Sequence, residues 1–282
     1  MGLEKVSYAW VARAVLTVMA CGVAAVRWQH PLAAGGIVGA AVLTAAIWSV
    51  LAALSLSNAI WAGLVSRDLT WYAYLPPDGV RRGGPLDPDT EFMVGQMCQV
   101  EARVQDFIRE SDLEHVSLAV TGGRLGLWHE AVSTRSGRSG HVALGYFWLW
   151  PDRSAALPYI LEHELAHLRR NDARTRLGTT TLRAALIVLC VGLLPLAQAV
   201  LVLAVLAAVG IGYQWWVELA CDREAARHCG RHVAVAAWKK DLADSREVPL
   251  GRRLLGAFLA LRSHPPMVLR LWWARLTPSR SS

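Results

Sequence analysis

The sequence predicts an α+β protein, mainly helical and integral to a membrane, with two membrane hairpins and a small antiparallel sheet. Three observations predict it. Of the 282 residues, 54% are hydrophobic and only 18% charged, against roughly a quarter charged in soluble domains, and the mean hydropathy is +0.31. No charge lies between Arg27 and Arg67 or between Arg183 and Glu218, and both runs exceed the roughly 20 residues a spanning helix needs. Between these two gaps lie three β-like runs separated by glycine-rich turns. The composition excludes a purely soluble protein, a disordered chain and a disulfide-stapled secreted module.

The net charge of +7 comes from arginine, since Lys5, Lys239 and Lys240 are the only lysines. In a membrane protein such flanks stay on the cytoplasmic side, so a lipid bilayer is the expected partner and nucleic acid is not. The five cysteines, Cys21, Cys98, Cys190, Cys221 and Cys229, are odd in number and scattered. They read as free thiols in a reducing setting.

The apolar stretches at 6–26 and 32–65, joined by a connection with Pro31, Gly35 and Gly36, predict an N-terminal transmembrane hairpin over 1–66. Arg13 lies close enough to the start of the first limb to snorkel to the headgroups. A secretory signal peptide would be followed by polar mature sequence, whereas a second apolar run follows here at once. Residues 67–90 are rich in Pro, Gly, Asp and Arg and read as a linker. Phe92, Met97, Val100, Val104, Phe107 and Ile108 recur at the spacing of an amphipathic helix. Strands are expected at 115–120, 125–132 and 141–150, and a helix over 154–170 closes the unit.

That last helix carries His163-Glu164-Leu165-Ala166-His167. At about 100° per residue the two imidazoles share one face and can bind one metal ion, while Glu164 points to the adjacent side, where a carboxylate serves as general base toward a water. Two histidines favour zinc, which needs a third protein ligand and an open position. Glu218-Leu219-Ala220-Cys221-Asp222 places two carboxylates one turn apart. Glu218 can complete the ligand set, and Asp222 can accept the second N–H of a ligand histidine. Taken alone, the same segment also reads as a solvated acidic helix start. Cys221 is a rival ligand, but it lies about 60° round the helix from Glu218 and reads as a packing residue. His228 and His232 lack a neighbouring base, and Gly230 between them marks a helix end.

These residues resemble the membrane-bound zinc metallopeptidases of the HtpX heat-shock protease and CAAX prenyl endopeptidase type. The resemblance rests on the N-terminal hairpin, on HELAH at 163–167 followed by Asn171-Asp172, on a second apolar segment, and on ELACD at 218–222. Ser263-His264-Pro265-Pro266, with Arg270 six residues after the histidine, is similar to that family's late His-Pro element. The resemblance implies a zincin-type domain (a small sheet plus the HExxH helix) with one Zn2+ per chain on His163, His167 and Glu218. It further implies Glu164 as general base, Asp222 behind a ligand histidine, and His264 and Arg270 close to the reacting atoms. Those two would stabilise an oxyanion or hold a ligand carboxylate; a basic helix on the membrane surface is the other reading of them. Cys221 stands where alanine is commoner in that family, and residues 66–110 match nothing in it.

Glu218 must reach the same ion as the two histidines, so the apolar segment at about 179–217 must return to the side it left. It reads as a membrane hairpin interrupting a peptidase domain over 91–282, shallow or fully spanning, with Pro195 near the turn. Arginines at 169, 170, 174, 176, 223, 227 and 231 flank it, which puts the catalytic side and both termini in the cytoplasm of a multi-pass plasma-membrane protein. The expected activity is hydrolysis of peptide bonds by zinc-activated water, on polypeptides in or beside the membrane, with 125–132 as the strand edge that pairs with substrate. Two alternatives are a signal-responsive peptidase of the β-lactam-sensor type, for which no sensing domain or long outer loop is visible, and a non-catalytic scaffold, against which the intact base argues.

Overall fold

The computed structural model describes residues 88–121, 131–172, 194–261 and 264–278, together with Thr175, Thr179, Leu182, Arg183, Leu186 and Cys190. The N-terminal hairpin at 1–66, the linker up to residue 87 and strand positions 125–130 lie outside them. The chain divides into two compact units, Met1–Arg67 with Thr175–Gly212 and Asp68–Arg174 with Tyr213–Ser282. The described elements are α1 (Pro88–Glu110), β1 (His115–Thr121), β2 (Ala131–Ser136), β3 (Ser139–Gly145), a 3-10 turn at Tyr146–Leu149, α2 (Leu157–Arg170), α3 (Leu196–Cys229), α4 (Arg231–Glu247), α5 (Leu250–Ala260) and α6 (Met267–Leu276). The protein is mainly helical with one small sheet.

Helix α1 takes residues 88–90 from the segment expected to be linker, because Pro88 suits a first helical position where no N–H is needed. Its buried stripe is Met93, Met97, Val100, Val104 and Phe107; Met93, and not Phe92, opens the stripe. The stripe packs with Val116 and Val120 of β1, Val142 and Leu144 of β3, and Leu157, Leu161, Leu165 and Leu168 of α2 in one core.

The sheet order is β1-β3-β2. It is mixed, which corrects the antiparallel expectation: β2 and β3 form an antiparallel hairpin turned at Gly137 (φ +59), and β3 runs parallel to β1 from His115↔Ser139 to Thr121↔Gly145. The hairpin lays its second strand against β1, so β2 becomes an outer edge. The expected strand at 141–150 stops at Gly145, the partner of the last residue of β1. Beyond it the chain turns to bury Trp148 and Leu149. At Gly140 helix and sheet meet closely: a Cβ there would lie 3.0 Å from Leu168 Cδ1 and 3.2 Å from Val116 Cγ2. Gly140→Ala is expected to destabilise the chain by about 1–3 kcal/mol through overpacking. Gly95→Ala, where a Cβ meets nothing within 4 Å, serves as the control, and thermal melts of the two purified variants check the contrast.

Helix α2 begins at Leu157 and not at 154, with Pro158 in its first turn. Arg135 of β2 donates to the carbonyl of Leu168 at its other end (3.2 Å). Helix α3 joins two segments that the sequence reading kept apart, the apolar run at 199–217 and the acidic motif at 218–222, in one continuous helix of 34 residues. Among the described residues, Ala197–Cys229 is the helix long and apolar enough to cross a membrane, and Leu201 and Val209 on it are 66% and 63% exposed. Gly230, at φ +92, ends it. Ala225 and Ala226 of α3 pack with Tyr159 of α2, Ala234, Ala237 and Trp238 of α4, and Leu271 and Ala274 of α6. This second core holds α2 and α3 together where the polar side chains meet.

Candidate metal centre

One turn apart on α2, His163 and His167 bring their Nε2 atoms to 3.2 Å of each other with the ring planes crossed at 82°. Glu218 of α3 faces both, Oε2 at 3.5 Å from His163 Nε2 and Oε1 at 3.6 Å from His167 Nε2. Ligand bonds of about 2.0–2.1 Å at tetrahedral angles set donor atoms about 3.3 Å apart, close to all three separations. The donor set of two imidazoles and a carboxylate therefore fits one divalent transition ion. His163 and Glu218 are buried, at 6% and 2% exposure, so no bulk water offsets the charge of the carboxylate.

Behind each imidazole stands a carboxylate. His163 Nδ1 lies 2.9 Å from Asp222 Oδ1, and His167 Nδ1 donates to Asp172 Oδ2 (2.8 Å). A carboxylate beside Nδ1 favours the proton on that nitrogen, which leaves the Nε2 lone pair aimed at the shared point. Burial alone would lower the basicity of His163, but the carboxylates of Asp222 and Glu218 outweigh that and raise its pKa to about 10. An ion would therefore compete with a proton for this ring.

Asp222 is almost fully buried. It accepts from Tyr159 Oη (2.8 Å) and from Arg270 Nε (2.7 Å) and Nη2 (2.6 Å). Tyr159 in turn accepts from Trp238 Nε1 (2.9 Å), and the Arg270 guanidinium lies 4.0 Å from the centre of the Trp238 ring. Arg270 is itself buried, at 8% exposure, so its side chain faces Asp222 and not a lipid surface. Its fork holds Asp222, and its Nη2 is 3.8 Å from Glu218 Oε2: it positions the ligand side chains. His264 is exposed, with Nε2 at 3.7 Å from Glu218 Oε2. Glu164 is buried beside His163 on α2. Glu218 lies deep within α3, not at a solvated helix start.

Asp172 is the residue that the motif reading left without a role. Asn171 ends α2 in the left-handed region (φ 54, ψ 43), a conformation asparagine tolerates at a helix C-terminus, and this bend turns Asp172 back onto His167. Arg170 Nε (3.3 Å) also donates to Asp172. Cys221 is fully buried against the same pair, its Sγ 3.4 Å from His167 Nδ1 and 3.5 Å from Asp172 Oδ2. The thiol meets the Nδ1 edge of His167 while Glu218 meets the Nε2 edge, so the two do not compete for one ion. Among the described residues, the groups able to hold a metal are His163, His167 and Glu218, and His167, Asp172 and Cys221; His228 and His232 belong to neither. Asp172→Asn, which exchanges the carboxylate for an amide, is expected to weaken metal binding by about 10–100-fold with little change in fold, read as the chelator concentration needed to strip the ion.

A scan against protein-family models, a search of curated proteins and a search of solved structures each return no match to the chain.

Proposed function

We propose that this protein is a membrane-anchored, zinc-dependent endopeptidase of the HtpX and CAAX prenyl endopeptidase type. The observation that carries the reading is the convergence of two Nε2 atoms and the Glu218 carboxylate at separations of 3.2, 3.5 and 3.6 Å. Each imidazole is already oriented by a carboxylate. His163, His167 and Glu218 would hold the ion, and zinc would supply Lewis acidity. Glu164 takes the proton of the attacking water and hands it to the leaving amine. Asp222 and Asp172 keep the imidazoles in register, Arg270 keeps Asp222 in place, and His264, the exposed member of the group, faces the substrate side.

The substrate is polypeptide in or beside the membrane, and the outer edge of the sheet at β2 offers it backbone to pair with. The anchors are the N-terminal hairpin and a second hairpin ending in α3. A second limb beside α3 is supported by Arg183, whose Nη1 would be 2.5 Å from a Cβ on Gly210. The arginines around the metal motifs support a cytoplasmic site. The reading is tested on protein purified in detergent, which is expected to hold one zinc per chain and to cleave casein until a chelator is added. Absence of zinc, or cleavage indifferent to chelator, sinks it.

A further inference from the structure

We propose that α5 and α6 form a bilayer-seated surface that binds anionic lipid headgroups and holds the metal centre at the membrane face. The inference rests on the membrane-anchored reading of α3, and not on the peptidase reading. Leu250 and Leu254 on α5 are 59% and 60% exposed, and Val268 and Trp272 on α6 are 63% and 52% exposed. Apolar side chains of this size, gathered on two consecutive helices, are a liability in water unless something covers them.

Two hydrogen bonds fix where these helices lie. Trp215 Nε1 of α3 donates to the carbonyl of Leu261, directly after α5 (2.8 Å), and Trp273 Nε1 of α6 donates to the carbonyl of Leu219 on α3 (2.9 Å). Both meet α3 within two turns of the end of its uncharged run. At that level four tryptophans gather: Trp215 and Trp216 on α3, and Trp272 and Trp273 on α6, the last two with ring centres 6.2 Å apart. Trp216 is 60% exposed. Indoles concentrate where hydrocarbon gives way to headgroups, because the ring is apolar and its N–H is not.

Charge selects the occupant. Neither α5 nor α6 contains an acidic residue, and the exposed Arg252 and Arg253 sit between Leu250 and Leu254. Apolar and cationic groups together on a short helix suit the acyl–headgroup boundary of an anionic leaflet. A second copy of the chain packed isologously would set these arginines against their own equivalents. His264 lies between the two helices, 3.7 Å from Glu218, so the metal centre they carry opens toward the bilayer surface.

The test uses the full chain in vesicles of phosphatidylcholine with or without phosphatidylglycerol, with an environment-sensitive fluorescent amino acid at position 254 or 268, and at the exposed position 99 of α1 for comparison. Positions 254 and 268 are expected to show blue-shifted emission, quenching by brominated lipid and protection from iodide, whereas position 99 shows the reverse. Arg252→Glu with Arg253→Glu is expected to reduce the shift most in vesicles that contain phosphatidylglycerol. Quenching of 254 and 268 by iodide and not by lipid overturns the proposal. Protection from both quenchers also overturns it, assigning the cover to this chain if protection survives dilution with lipid and to a second copy if it does not. Zinc content and chelator-sensitive cleavage, read on the same vesicles, report the peptidase reading separately.

Discussion

Glu164→Gln is expected to keep its metal and its fold while peptide hydrolysis falls by about 10²–10⁴-fold, the range that a positioned general base contributes. Glutamine preserves the shape of the side chain and removes the ability to take a proton. None of the ligand atoms is touched, since the ion would be held by His163, His167 and Glu218. The discriminating measurement is therefore paired: zinc per chain by elemental analysis, and single-turnover cleavage at saturating enzyme, on wild type and variant prepared side by side. Loss of zinc together with activity would mean that Glu164 belongs to the binding set. Equal cleavage by both proteins, with zinc retained, would take the role of base away from Glu164, and cleavage by neither would favour a scaffold.

Arg270→Met is expected to destabilise the unit around the metal centre by about 3–5 kcal/mol, the effect of leaving one partner of a buried ion pair alone. Asp222, at 1% exposure, would keep the bond from the Tyr159 hydroxyl and lose both bonds to the guanidinium. Desolvation opposes the charge of Arg270, but Asp222 outweighs it and holds the guanidinium firmly protonated. Stability should therefore show no pH dependence from Arg270 itself across the neutral range. Arg270→Lys restores the charge without the fork that spans both oxygens of Asp222, and is expected to recover only part of the loss. Chemical denaturation of the three proteins in the same detergent orders them as wild type, lysine, methionine. An unchanged midpoint in the methionine variant would refute the role given to Arg270.

The parts of the site that were legible in the sequence are those with a local period. His163 and His167, and Glu218 and Asp222, are one helical turn apart, so their shared faces follow from the geometry of a helix alone. Asp172 was illegible because its contact with His167 depends on a left-handed residue at 171, and an asparagine there marks a helix end without saying where the next side chain will land. Arg270 meets Asp222 across 48 residues of chain, and no local pattern reports burial of an arginine at such range. In the fold, the amphipathic stripe of α1 was readable from its spacing. The parallel pairing of β1 with β3 was not, because alternation within a strand is the same whichever way its neighbour runs. The run at 146–150 looked like strand because Tyr146, Phe147 and Trp148 favour sheets; burial of Trp148 and Leu149 in the core overrode that preference.

The carboxylates behind His163 and His167 decide when order is lost and gained. Their clamps come from α3 and from the bend after α2, tied to Tyr159, Arg170 and Arg270, and they restrain both rings before any ion arrives. The entropy of ordering the ligands is therefore given up during folding, and the ion meets a rigid cage. Such a cage should exchange its metal slowly and survive emptying as a folded protein, unlike small zinc modules that unravel when stripped.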